Sequence, residues 1–208
     1  MDACSSGIAS SRFRRVTEEH FIFPLGTVLF PGGTLPLRIF EQRYLEMTKT
    51  CLRDNRPFGV CLIREGREVG EPAVPETVGC LATIERWDMP QLGLFELVAR
   101  GGDRFRLLDT HVARNGLMSG SIERIVEEPA RAAVDPACRE VLKLIIDRVG
   151  EANFPAPISL ADPLWVGYRL AEVLPLEPRV KQEILVLNSA GERLSRLREV
   201  LLEKGLVT

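Results

Sequence analysis

The sequence predicts an α+β protein: a small, mostly antiparallel β-barrel with one inserted helix, followed by a helical bundle. Three observations carry that prediction. Short runs of β-branched and aromatic residues follow one another up to about residue 126, separated by Gly, Pro and Asp turn chemistry. One stretch in their midst, from Glu41 to Asp54, has apolar or small residues three and four apart, as a helix requires. Beyond Pro129 the periodicity is helical throughout.

Phe21 to Leu25 and Thr34 to Ile39 read as strands, with Phe30-Pro31-Gly32-Gly33 as the turn between them. Proline fixes φ there, and the glycines admit conformations closed to other residues. Pro24 and Pro36 lack an amide donor, so both strands should lie at an edge, a bulge or an irregular barrel seam. Further strands are expected at Phe58 to Ile63, Val78 to Trp87, Leu94 to Arg100, Arg104 to Leu108 and Leu117 to Val126. Arg100-Gly101-Gly102-Asp103-Arg104 then reads as a hairpin turn, and Glu65 to Glu76, with its glycines, prolines and charges, as a surface loop.

In the second half, Asp135-Pro136 and Asp162-Pro163 each place a capping carboxylate before a proline at the first helical position. Ser189 and Glu192 form a capping-box pattern ahead of Leu194, Leu197 and Leu201, and a further helix starts near Pro178 with Val180, Ile184 and Leu187 facing inward. Trp165 and Tyr168 should be mostly core. The organisation expected is a flexible tail over residues 1–18, a barrel over 19–129 and a bundle over 130–208. Arg12, Arg14 and Arg15 fall in that tail as a solvated basic run.

Composition fits a compact, cytoplasmic protein. Of 208 residues, 45% are apolar and 27% charged, enough to bury a sizeable core. The net charge of −2 argues against a dedicated nucleic-acid or anionic-membrane binder. No apolar run approaches the ~20 residues needed to span a bilayer. Cys4, Cys51, Cys61, Cys80 and Cys138 are odd in number and widely spaced, which reads as reduced thiols rather than a disulfide framework.

The text from Phe23-Pro24-Leu25 through Phe30-Pro31-Gly32 and Pro36-Leu37 to Ile39-Phe40-Glu41-x-Arg43-Tyr44 resembles the N-terminal, substrate-binding-type domain of the ATP-dependent Lon protease. That domain occurs also as a free-standing protein and in cereblon-like proteins. Val78-Gly79-Cys80-Leu81-Ala82-Thr83-Ile84, Phe95 to Arg106, Leu160-Ala161-Asp162, Lys181 to Leu185 and Glu192-Arg193-Leu194 extend the resemblance, in the family's order, over roughly Glu19 to Glu203. The resemblance implies a barrel of the PUA-like kind and a role in selecting polypeptide substrates. Unfolded or degron-bearing polypeptides are then the expected partners, with a protease or chaperone acting in trans.

No catalytic, cofactor-binding or metal-ligating residue is expected. None of the four lysines follows a glycine as a phosphate-cradling loop requires, and the 208 residues leave no room for a serine–lysine protease unit once the resemblance is assigned. His20 and His111 are far apart with no metal-ligand spacing around either, and His20 reads as an exposed or capping residue. Arg38, Glu41 and Arg43 are expected to pair at the strand-to-helix junction.

Trp87-Asp88-Met89-Pro90-Gln91-Leu92-Gly93 stands apart, because a turn between strands should be polar. Either this segment folds onto the helical half and is buried, or Trp87, Met89 and Leu92 form a contact surface for apolar peptide segments beside a barrel edge. An RNA-binding barrel and a small-molecule enzyme are the alternative readings. The first lacks a basic and aromatic stripe, and the second a visible polar pocket.

Overall fold

The computed structural model describes residues 18–128 and 133–207. It is an α+β fold in which one mixed eight-stranded sheet curls on itself and the helices follow. The strands are β1 (Glu18–Leu25), β2 (Thr34–Ile39), β3 (Phe58–Glu65), β4 (Val74–Pro75), β5 (Val78–Gln91), β6 (Leu94–Leu107), β7 (His111–Val112) and β8 (Met118–Arg124). The helices are α1 (Gln42–Asp54), α2 (Pro136–Val149), α3 (Pro163–Val173), α4 (Pro178–Val186) and α5 (Ala190–Glu203), with a short 3-10 turn at Glu151–Asn153. The expected tail, with Cys4 and its three arginines, lies outside the described residues except for Glu18, which opens β1.

The strand pairings form a closed circuit: β6 with β5, β5 with β3, β3 with β1, β1 with β8, and β8 back to β6. Among the described strands only β1 and β3 run parallel. β1 and β2, although joined by the Phe30–Gly33 turn, do not pair; β2 lies along β6 instead.

That turn docks against β6 at the stretch expected to be a hairpin. β6 runs without interruption through Gly101 and Gly102. The Gly101 amide donates to the Gly33 carbonyl at 2.9 Å, and the Gly32 amide donates to the Gly101 carbonyl at 2.8 Å. A Cβ on Gly101 would overlap the Phe30 carbonyl oxygen. The glycine therefore serves close backbone approach rather than reversal of the chain. On the same edge β6 pairs with β2 over Phe95–Arg100 and with β8 over Phe105–Leu107, so Gly101 marks where the strand leaves one neighbour for the other.

One core cluster unites α1 with the barrel through Phe23, Tyr44, Met47, Phe58, Phe95 and Leu97. A second is built by the later helices but includes Val28, Phe30, Leu62 and Val78 from the β part. Each fully buried side chain of this size contributes roughly 1.5–3 kcal/mol. Cys51, Cys61, Cys80 and Cys138 are free, buried thiols, and burial pushes Cys51 up to about 11 and Cys138 up to about 12.

Three arginines are sealed between the two parts. Arg104 of β6 donates to the carbonyls of Leu185 and Leu187 at 2.6 and 2.8 Å and to Glu127 at 2.6 Å. Arg193 of α5 donates to the Leu187 carbonyl at 2.6 Å and lies 4.0 Å from the centre of the Tyr168 ring. Tyr168 in turn donates to Glu127. Arg169 of α3 donates to the Pro31 carbonyl at 2.6 Å and pairs with Glu172, whose Oε1 accepts from the Thr34 amide.

Asp135 and Asp162 cap α2 and α3, accepting from the amides of Cys138 and Leu164. Ser189 makes no side-chain capping bond, so the expected box on α5 is not formed. That helix is held instead by Leu194, Leu197 and Leu201, all buried. Ile184 is buried as expected, with Val180 and Leu187 half-buried. Tyr168 is buried, while Trp165 is half-buried against the helical core. Arg43 pairs with Glu41 at 2.9 Å as expected, whereas Arg38 reaches across to Glu96 at 3.3 Å.

His20 is buried rather than exposed, held by the Pro57 carbonyl and Glu18 at 3.1 Å each. The β1 alternation turns it inward, a consequence of strand register that a lone histidine does not reveal.

Arg104→Ala leaves carbonyls and a carboxylate without their donor, and lowers the unfolding free energy by about 3 kcal/mol in urea titration. A second expectation concerns acid. Arg124, and after it His20, hold the Glu18 carboxyl down from an ordinary 4.5 to about 2. A depressed carboxyl stabilises the fold above its unfolded value, and that stabilisation fades as pH falls towards 2. The melting temperatures of wild type and Glu18→Gln should differ at about pH 6 and converge near pH 2.

Candidate recognition surface

β5 and β6 are far longer than the barrel needs. The barrel uses β5 from Val78 to Ala82, where it pairs with β3 over Cys80–Ala82 and with Arg104–Arg106 of β6. Beyond that the two strands project as a hairpin, with β2 laid on the far side of β6, to make a three-stranded arm ordered β2-β6-β5. Leu92 and Gly93 form the turn, and Gly93 has φ of +83°, where a side chain would be strained.

Trp87 and Met89 therefore stand within a strand and not in a turn, and only Leu92 occupies the tip. None of the three folds onto the helices. Trp87 is 54% exposed, Met89 44% and Leu92 96%. Trp87 lies opposite Leu97 and meets Phe95 edge to face at 5.6 Å, so its ring is anchored along one side while the other stays open. Met89, partly covered, and Leu92, almost wholly exposed, add flexible apolar bulk.

A groove of about 620 Å³ runs across the arm, lined by Pro36, Arg38, Arg86, Trp87, Asp88 and Val98 among others. A second, of about 340 Å³, continues from the shared residues Pro36, Arg86 and Val98 towards Asn153, Phe154 and Pro155. The cross-strand row Pro36, Val98, Arg86 explains this continuity, since the three are partners in register and share one face. The floor is apolar, and the rim carries both signs of charge: Arg38 with Glu96, Arg86 and Asp88.

Phe40 and Val69, 59% and 60% exposed, border a smaller recess near Glu41 and Tyr44. Neither was a candidate from sequence, because Phe40 sits in a stretch read as framework and Val69 in a loop of glycines and charges. Arg86 was missed as well. Its signal was the alternation Arg86-Trp87-Asp88, which places two opposite charges on one face of a strand.

A second grouping invites a catalytic reading. Ser119 Oγ and His111 Nε2 are 2.7 Å apart, with Glu19 Oε1 3.4 Å from the same nitrogen. A relay needs the carboxylate on the opposite ring nitrogen. Here serine and carboxylate share one nitrogen on an exposed surface, so no proton path runs through the ring. Among the described residues there is no cluster of His, Cys, Asp or Glu able to hold a metal ion, and no helix long and apolar enough to cross a membrane.

The fold is thus a closed circuit of strands bearing a helical half and an exposed apolar arm. Residues 19–203 match the family model of the ATP-dependent protease La (LON) substrate-binding domain, and the chain belongs to that family. It is 28% identical to the Lon protease of Anaeromyxobacter dehalogenans, over 86% of this chain and 23% of that protein. With Lon protease 2 of Myxococcus xanthus it shares 27% identity, over 86% of this chain and 24% of the other. The chain thus spans about a quarter of the length of the curated relatives it matches. Among solved structures, a Lon N-terminal domain protein from Xanthomonas campestris superposes with a TM-score of 0.70 at 34% identity, covering 88% of this chain and 98% of that one. The N-terminal domain of a Mycobacterium avium complex Lon protease shares the fold, with a TM-score of 0.65 at 16% identity, covering 88% and 97%.

Because Leu92 touches so little, Leu92→Ser should leave the unfolding free energy within about 0.5 kcal/mol of wild type, measured by chemical denaturation.

Proposed function

We propose that this chain is a noncatalytic recognition module that grips extended apolar segments of unfolded or degron-bearing polypeptides, and that it acts as an adaptor for a protease or chaperone in trans. The observation that carries the reading is the exposure of Trp87, Met89 and Leu92 together on one hairpin beside an apolar groove. Exposed apolar side chains of this size are ordinarily covered in a soluble domain. Trp supplies rigid area at low entropic cost, and Met adapts to differing partners. The groove is long and open, which suits an extended chain better than a compact small molecule.

The charge pattern weighs against nucleic acid. Arg38 is already engaged by Glu96, and Asp88 lies two residues from Arg86, so a phosphate backbone would meet carboxylates along the same row. Four free, buried thiols accord with a reducing, cytoplasmic setting.

The test is capture of a permanently unfolded, reduced and alkylated protein by wild type and by the variant W87S/M89S/L92S. We expect the dissociation constant to rise at least about tenfold, because anchors of this kind dominate a contact. Equal affinity in a variant that retains the wild-type melting temperature would overturn the proposal.

A further inference from the structure

We propose that the free edge of β5 pairs with the same edge of a second copy of this chain, in an antiparallel two-fold contact centred on Trp87. β5 has one edge on β6 along its whole length, whereas its other edge meets β3 only over Phe58–Val60. From Thr83 to the hairpin tip that second edge has no strand beside it among the described residues. Residues 85 to 93 are all exposed.

An uncovered edge is a template for another strand, and the partner is chosen by what its side chains carry. Two breaks in register, between Ile84 and Arg86 and between Asp88 and Gln91, flank a regular stretch consisting of Arg86, Trp87 and Asp88. Pro90 lacks an amide donor and shortens the usable edge further. What remains is a three-residue ladder with a cation at one end, an anion at the other and an aromatic ring between them.

That arrangement is self-complementary. When two antiparallel copies cross at Trp87, Arg86 of each stands directly opposite Asp88 of the other, and the two indoles face each other across the axis. Neither Arg86 nor Asp88 has an ion-pair partner among the described residues, whereas Arg38 and Arg100 of the same arm are bound to Glu96 and Glu85. Asp88 uses Oδ1 to accept from the Met89 amide, which leaves Oδ2 for the opposing guanidinium. The arm's unpaired charges are thus one of each sign, spaced for a two-fold partner, rather than the single sign an acidic or basic peptide would select. The bulges keep the ladder short, so the pair is weak and reversible and does not propagate into a fibre. It also covers Trp87, so on the recognition reading above it competes with client binding.

Sedimentation equilibrium from about 5 to 500 µM should show a concentration-dependent dimer of the wild-type chain. R86D and D88R each place like charges opposite one another twice and should weaken the dimer about tenfold. An equimolar mixture of R86D with D88R should restore dimerisation, as should the double variant R86D/D88R, because both recreate the opposed pairs. A wild type monomeric over the whole range overturns the proposal. So does an association that the single reversals leave intact, or that neither the mixture nor the double variant restores. Capture of the unfolded protein probe by wild type, measured alongside, separates the two readings: a wild type that dimerises but does not capture the probe overturns client recognition alone, and one that captures the probe but stays monomeric overturns this contact alone.

Discussion

Everything in this molecule hangs on three arginines buried where the barrel meets the helices. A guanidinium sealed from water is costly unless its donors find acceptors, and burial lowers the proton affinity of both Arg169 and Arg193. For two of them the acceptors are backbone of the opposite part, Pro31 from the barrel side for Arg169 and Leu185 and Leu187 from the helical side for Arg104, while Arg193 donates to Leu187 within the helical half. Such bonds have a fixed geometry, whereas apolar packing alone tolerates sliding. The two parts are therefore held in one relative orientation, and the apolar core that spans them is assembled around that orientation.

The same constraint explains why the exposed surface lies where it does. With the helices pinned against Val28, Phe30, Leu62 and Val78, the 150–155 segment closes only the base of the arm, and the distal half of the hairpin projects past it. Nothing in the described residues reaches Leu92. Exposure there is a consequence of strand length combined with a fixed docking angle.

The architecture was largely legible in the sequence, because it depends on local chemistry: Asp-Pro caps for α2 and α3, strand alternation, and a helical period between β2 and β3. The errors share one physical origin. Glycine usually marks chain reversal, yet Gly101 answers to a distant backbone, the Phe30 carbonyl, that no local pattern encodes. His20 was misplaced because its burial follows from pairing with β8 and contact with Pro57. Ser189 stands at the N-cap position of α5, as the pattern requires, but its side chain makes no capping bond. For the candidate surface, the anomaly of apolar residues near a turn pointed to Trp87, Met89 and Leu92. The groove and Arg86 were hidden, because they arise only when β2, β5 and β6 lie side by side.

Gly101 has a mechanical meaning as well as a steric one. The paired bonds between it and the Gly32-Gly33 turn clamp β6 at the point where the arm leaves the barrel, much as a bracket holds the root of a cantilever. Arg169 and Glu172 hold the same turn through the Pro31 carbonyl and the Thr34 amide, and so tie that root to α3. The arm's position relative to the scaffold is thus set at its root and not at its exposed end.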